Sequence, residues 1–193
     1  MRDWEERGSM DDPGKWDMAY RRLLLARRLN PLNTDSSADL GRLMEWQSWR
    51  QLPGSAESLK YRGRAGRFYE ETIGKRPSWG FAWALYAENQ LLSGDRGSEF
   101  LAALEKAMVL APWEPGVQRK VAWLGMSSWD ELPVSLRVVV ESSIRRSVAL
   151  ETNLNELVRV AIQYDWLDRL RPMMRTDRQR AALELVLKQM GQR

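Results

Sequence analysis

The chain contains no cysteine and no histidine. Their absence removes disulfides, zinc sites of the Cys/His type, Cys–His nucleophiles and Ser-His-Asp triads together. It does not select a compartment, because a helical repeat needs no disulfide in a reducing or an oxidising one. Long apolar runs are also missing: nothing approaches the roughly 18–20 residues that span a bilayer. The first seven residues, Met1-Arg2-Asp3-Trp4-Glu5-Glu6-Arg7, carry three acids and no apolar core, so they do not read as a signal peptide. No segment alternates strictly between apolar and polar, as a half-buried strand would. Gly63-Arg64-Ala65-Gly66 lacks the lysine and the preceding strand of a phosphate loop.

What is present is ordinary in bulk. With 193 residues, 44% apolar and 29% charged, the chain suits one well-buried domain or at most two small ones. The net charge of +4 is mild, and the arginines are interleaved with acids. The most basic stretch, 159–193, sets eight cations, Arg169 and Arg175 among them, against four acids. Interspersed acids favour a solvated helix face there over a nucleic-acid or anionic-lipid patch. A nucleic-acid partner is not expected.

The informative signal is a repeat. Ala26, Thr72 and Ala107 each precede a proline, Pro31, Pro77 and Pro112, by five residues. Upstream, Ala19 and Leu23 align with Ala65 and Tyr69, then with Phe100 and Leu104. Pro77 and Pro112 are 35 residues apart, while Pro31 and Pro77 are 46 apart, one period plus an insertion. A period near 34 with a small residue on the second helix and a closing proline marks tetratricopeptide-type hairpins. Such hairpins stack into surfaces that hold partners.

Periodicity and punctuation predict helices over about 15–29, from the Asn33–Ser36 cluster to 50, then 56–74, 80–92, 98–110, 116–126 and 133–150. Asn153 is the predicted cap of a helix running to about Tyr164. A short piece closed by Pro172 follows, then a helix capped by Thr176-Asp177 and running to about Met190. Residues 1–14 read as a flexible lead-in and 15–193 as the helical-repeat domain. The expected architecture is all-α, a tetratricopeptide-like stack of about four antiparallel hairpins.

Ten tryptophans stand out. Most are expected to fill gaps between hairpins, where an indole buries a large apolar area. Trp46, Trp49 and Trp129, near helix ends or in loops, are the candidates for exposed aromatic platforms. The carboxylates do not suggest catalysis. Glu70 and Glu71 are adjacent and so point to different sides of a helix. Glu88 has no second acid to face it, whereas a glycosidase needs two carboxyls about 5–10 Å apart. No catalytic residue, metal site or cofactor is expected.

The first helix of each hairpin lines the inner surface of such arrays. If Gly41, Ala87 and Ala122 are equivalent small positions, the next residues are Arg42, Glu88 and Trp123. Four further on lie Glu45, Leu91 and Met126. The candidate partner-binding set is Arg42, Glu45, Trp46, Glu88, Arg119 and Trp123. Its mix of charge and aromatic area suits a peptide, a protein helix or a glycan chain about equally.

Three strings carry a family resemblance: Ala38-Asp39-Leu40-Gly41-Arg42-Leu43, Arg76-Pro77-Ser78-Trp79 with Trp83, and Ala111-Pro112-Trp113-Glu114-Pro115-Gly116-Val117-Gln118. Together they resemble the VpsP-type proteins of bacterial exopolysaccharide gene clusters, over about residues 16–150. The Pro-Trp-Glu-Pro string is the most specific piece. The resemblance implies a non-catalytic scaffold in exopolysaccharide synthesis or export. Its partner would be a membrane polysaccharide synthase, polymerase or export component. It further implies a periplasmic location with an inner-membrane anchor outside this sequence; the alternative is cytoplasmic. The alternative function is a glycan-binding module using exposed tryptophans.

Overall fold

A helix needs an apolar stripe, a start and a stop, and the repeated blocks supply all three. The computed structural model describes residues 13–150 and 154–191. Residues 1–12 of the predicted lead-in, and the predicted cap Asn153, lie outside the described residues. Among the described residues there is no strand. The helices are α1 (Pro13–Leu29), α2 (Asp35–Trp49), α3 (Ala56–Lys75), α4 (Gly80–Leu92) and α5 (Ser98–Leu110). They continue as α6 (Pro115–Ser127), α7 (Val134–Ala149), α8 (Leu154–Gln163), α9 (Leu167–Leu170) and α10 (Asp177–Gly191), with single 3-10 turns at Trp129–Glu131 and Arg171–Met173. They fall into two compact units. The first holds α1 to α3 with residues 92–95; the second holds residues 79–91 and the chain from Arg96 onward.

In the first unit α2 and α3 approach closely. A side-chain carbon on Gly41 would lie 2.4 Å from the ring of Tyr69, so only glycine fits there. Ser48 and Ser58 join the same pair by a hydroxyl–hydroxyl bond of 2.8 Å. Gly54, at a φ of +74°, makes the turn between them. Ser55 then caps α3 by accepting the Ser58 N–H. Helix α1 lies against both through polar ties. The Trp16 indole N–H donates to the Leu43 carbonyl at 3.2 Å, and Arg64 donates to the Tyr20 hydroxyl at 2.9 Å.

The register of α1 differs from the repeat alignment. Thr72 and Ala107 are fully buried, but their predicted equivalent Ala26 is exposed, and Ala19 and Leu23 are only half-buried. Sequence periodicity marks a face; burial also requires a neighbour on that face. Helix α1 turns Trp16, Tyr20 and Arg27 to α2 and α3 and leaves Met18, Leu25 and Leu29 exposed.

One carboxylate binds the three helices of this unit. Glu71 on α3 accepts from Arg27 of α1 at 3.0 Å, from Ser37 of α2 at 3.2 Å and from Lys75 at 2.7 Å. Lys75 also reaches the Pro31 carbonyl. Burial alone would raise the Glu71 pKa, but the hydrogen bonds and charges of Arg27 and Lys75 outweigh it and hold it below 4.5. The folded state therefore releases this proton more readily than the unfolded chain. Its stabilisation is complete above about pH 4.5 and is lost as pH falls through the lowered value. Glu71→Gln is expected to cost about 2 kcal/mol at pH 7, the scale of hydrogen bonds to a charged group. The gap between variant and wild type should close in urea titrations carried toward pH 3. A gap independent of pH would show that the carboxylate's charge is not what binds the helices.

In the second unit the buried face repeats at i, i+4, i+7. Phe100, Leu104 and Ala107 of α5 point inward, as Val140, Ile144 and Ser147 of α7 do, all at 1% exposure or less. The α7 set has no proline behind it and so falls outside the proline-based alignment. Gly125 admits Val140 in the α6–α7 approach, since a side-chain carbon on it would sit 2.2 Å from a valine methyl. Helix α4 is tied to α5 by Glu99, which accepts from Tyr86 at 2.8 Å and Gln90 at 2.7 Å. Helix α8 ends on Asp165 in the left-handed region, with Trp166 N–H returning to the Ala161 carbonyl at 2.7 Å. Thr176 does cap α10, and Gln179 reciprocates. The Thr176 hydroxyl accepts Gln179 N–H, while the Gln179 carboxamide accepts Thr176 N–H, a capping box.

Candidate functional site

The six predicted partner-binding residues divide between the units. Arg42, Glu45 and Trp46 stand on α2 in the first; Glu88, Arg119 and Trp123 stand on α4 and α6 in the second.

On α2 the three have different environments. Arg42 is half-buried and its guanidinium lies 3.6 Å from Asp39. Burial first, then the charge of Asp35, pushes the Asp39 carboxyl up to about 6. Trp46 is half-buried. Glu45 is not on a surface: it is 3% exposed, with Arg62 of α3, itself buried, at 3.6 Å. That guanidinium also lies 5.9 Å from the Trp49 ring. Glu45 thus balances a buried cation, and removing it would take away the carboxylate that faces the Arg62 guanidinium.

In the second unit Glu88 is also buried, at 8% exposure, and pairs with Lys120 of α6. A charge reversal at Glu88 would therefore disturb the α4–α6 packing as well as any binding. Arg119 is exposed and faces Glu156 of α8 at 3.5 Å. Trp123 is half-buried. The whole line four residues beyond the small positions, Glu45, Leu91 and Met126, is interior. Four residues advance a helix by only about 40° beyond a full turn, so this line shares the packing face of Gly41, Ala87 and Ala122.

The tryptophans also redistribute. Trp49 is exposed, but Trp46 and Trp129 are half-buried. Trp129 packs edge-on against buried Trp166, with ring centres 4.6 Å apart, and Arg137 and Arg169 lie over it. The most exposed described indole is Trp113, at 76%. It sits in the Pro112-Trp113-Glu114-Pro115 joint directly after exposed Val109 and Leu110. Arg146 of α7 lies 5.5 Å from its ring and is held in place by Gln118 and Ser143. Trp113 belongs to the Pro-Trp-Glu-Pro string singled out in the sequence; Arg146, 33 positions away, does not.

No group of histidine, cysteine, aspartate or glutamate among the described residues is arranged to hold a metal ion. No helix among them is long and apolar enough to cross a membrane. No protein-family model and no curated protein sequence matches the chain.

Proposed function

We propose that the chain is a non-catalytic helical-repeat adaptor that captures a protein partner through Trp113 and its surroundings. The observation carrying this reading is the 76% exposure of Trp113 between two prolines, with Arg146 over its ring. Proline restricts the backbone on either side, so the indole is presented with little freedom left to lose on binding. Tryptophan and arginine are the residues that dominate interface energetics. The resemblance carried by Pro112–Gln118 supports a partner in bacterial exopolysaccharide synthesis or export, and with it a periplasmic setting.

The test is capture from membranes of the native host, with the bound protein identified by mass spectrometry. Trp113→Ala should lose a polysaccharide synthase, polymerase or export component while melting within about 2 °C of wild type, as exposed substitutions generally do. Capture unaffected by this change would remove Trp113 from the interface. The exposure of Trp49 and Trp113 favours a second reading, direct glycan binding by ring stacking. Saturable binding of purified exopolysaccharide, lost on Trp113→Ala with no protein captured, would establish that alternative instead.

A further inference from the structure

We propose that the cleft between α7 and the segment leading into α10 binds an acidic, aliphatic-bearing peptide segment of the partner. This rests on the adaptor reading and specifies the chemistry of what is captured. Two hollows of about 270 and 310 Å³ meet here, sharing Arg145 and Met173 as lining residues. Four guanidiniums line them, those of Arg145, Arg146, Arg169 and Arg175. Glu141 is the single carboxylate in the lining and is paired with Arg145 at 2.6 Å. Among the described residues Arg146, Arg169 and Arg175 have no carboxylate partner. Arg146 bonds Gln118 and Ser143, and Arg169 lies over the Trp129 and Trp166 rings. These three cations thus lack a carboxylate counterpart among the described residues, and their charge is left for an incoming anion.

The cleft is held open by its own hydrogen bonds. Buried Gln179 accepts from the Arg175 N–H at 2.8 Å and donates to the Val148 carbonyl of α7 at 3.2 Å, fixing the start of α10 against α7. Between the arginines the floor is aliphatic, with Val148, Ala149 and Met173. The floor decides the ligand class. A sugar or nucleobase needs an open ring face, and the indole lining this cleft, Trp166, is 3% exposed with its ring engaged by Arg169 and Trp129. A carboxylate-rich peptide places acids on the guanidiniums and an aliphatic side chain on the floor.

The probe is a fluorescein-labelled peptide of three Glu-Leu-Asp-Gly units, compared by anisotropy with a counterpart bearing lysine for each acid. The acidic peptide should bind saturably, more weakly in 0.5 M salt than in 0.05 M, and the lysine peptide should not bind. Arg175→Ala and Arg145→Ala should each weaken binding about tenfold, the scale of one charge-assisted contact. Arg159→Ala, an exposed arginine on α8 outside the cleft, should change it less than twofold. Equal loss in all three variants would reduce the effect to net charge and overturn the assignment. So would the absence of saturable binding by wild type that melts cooperatively. Polygalacturonate, oligo-thymidylate and phosphatidylglycerol vesicles form the remaining arms. Tighter, Arg175-dependent binding to one of them would transfer the cleft to that class. Failure of the peptide with Trp113-dependent capture intact would sink the cleft and leave the adaptor reading standing.

Discussion

Ala107→Glu should unfold much of the second unit, while Ala102→Glu on the same helix should be nearly silent. Ala107 is fully buried on α5, in line with buried Phe100 and Leu104; Ala102 is exposed. The substitution is identical, and so is its small effect on helix propensity. The burial differs. At position 107 a carboxylate would enter a buried apolar face, at a cost on the order of 4 kcal/mol or more. That is a large share of the roughly 5–15 kcal/mol that holds a domain together. In thermal scans Ala107→Glu should lose at least about 10 °C or its cooperative transition altogether. Ala102→Glu should stay within about 2 °C of wild type. Equal melting of the two variants would show that α5 presents a different face to its neighbours.

The same helix shows what the sequence made legible. The predicted ranges 80–92 and 98–110 coincide with α4 and α5, because these segments carry the strongest punctuation: Ser93-Gly94-Asp95 between them and Pro112 after. Gly94 has a φ of +86°, a conformation that glycine adopts without strain. Helix α1 shows where pattern ends. Its aligned Ala26 follows the period and is still exposed, because a period says which residues share a face and not whether another helix covers it.

The candidate site was less legible, for a geometric reason. Placing Glu45 and Glu88 on a binding surface required the right rotation of α2 and α4, and one residue of error turns a helix by 100°. Glu45 fell on the packing face, and Glu88 fell beside Lys120. Exposed charge and balanced buried charge look alike in sequence; the difference is the partner, Arg62 or Lys120, on another helix. The arginine cleft has the same character. Arg169 and Arg175 were visible as part of a basic C-terminal stretch, but Arg145 and Arg146 join them only through the packing of α10's leader on α7.

Gly41→Ala should destabilise the first unit, while Gly63→Ala on the next helix should stabilise it. Both glycines lie within helices, so alanine gains up to about 1 kcal/mol of backbone preference at each. The surroundings set the sign. Gly63 is exposed and nothing lies within 4 Å of a side-chain carbon built on it. At Gly41 that carbon would stand 2.4, 2.8 and 2.9 Å from three atoms of the Tyr69 ring. Tyr69 is fully buried, so its ring has no free volume into which to move. Relief then requires α2 and α3 to separate, opening the contacts that Leu40, Met44 and Ala65 make in the core; overpacking of this kind costs about 1–3 kcal/mol or more. The net expectation is a loss of about 2 kcal/mol for Gly41→Ala and a gain of up to about 1 kcal/mol for Gly63→Ala. Urea unfolding of both variants measures the difference. A third measurement isolates the cause. With Tyr69→Leu already in place, the ring edge is gone, and Gly41→Ala should cost much less than it does in the wild-type chain. An unchanged cost in that background would mean that the ring is not what requires glycine at position 41.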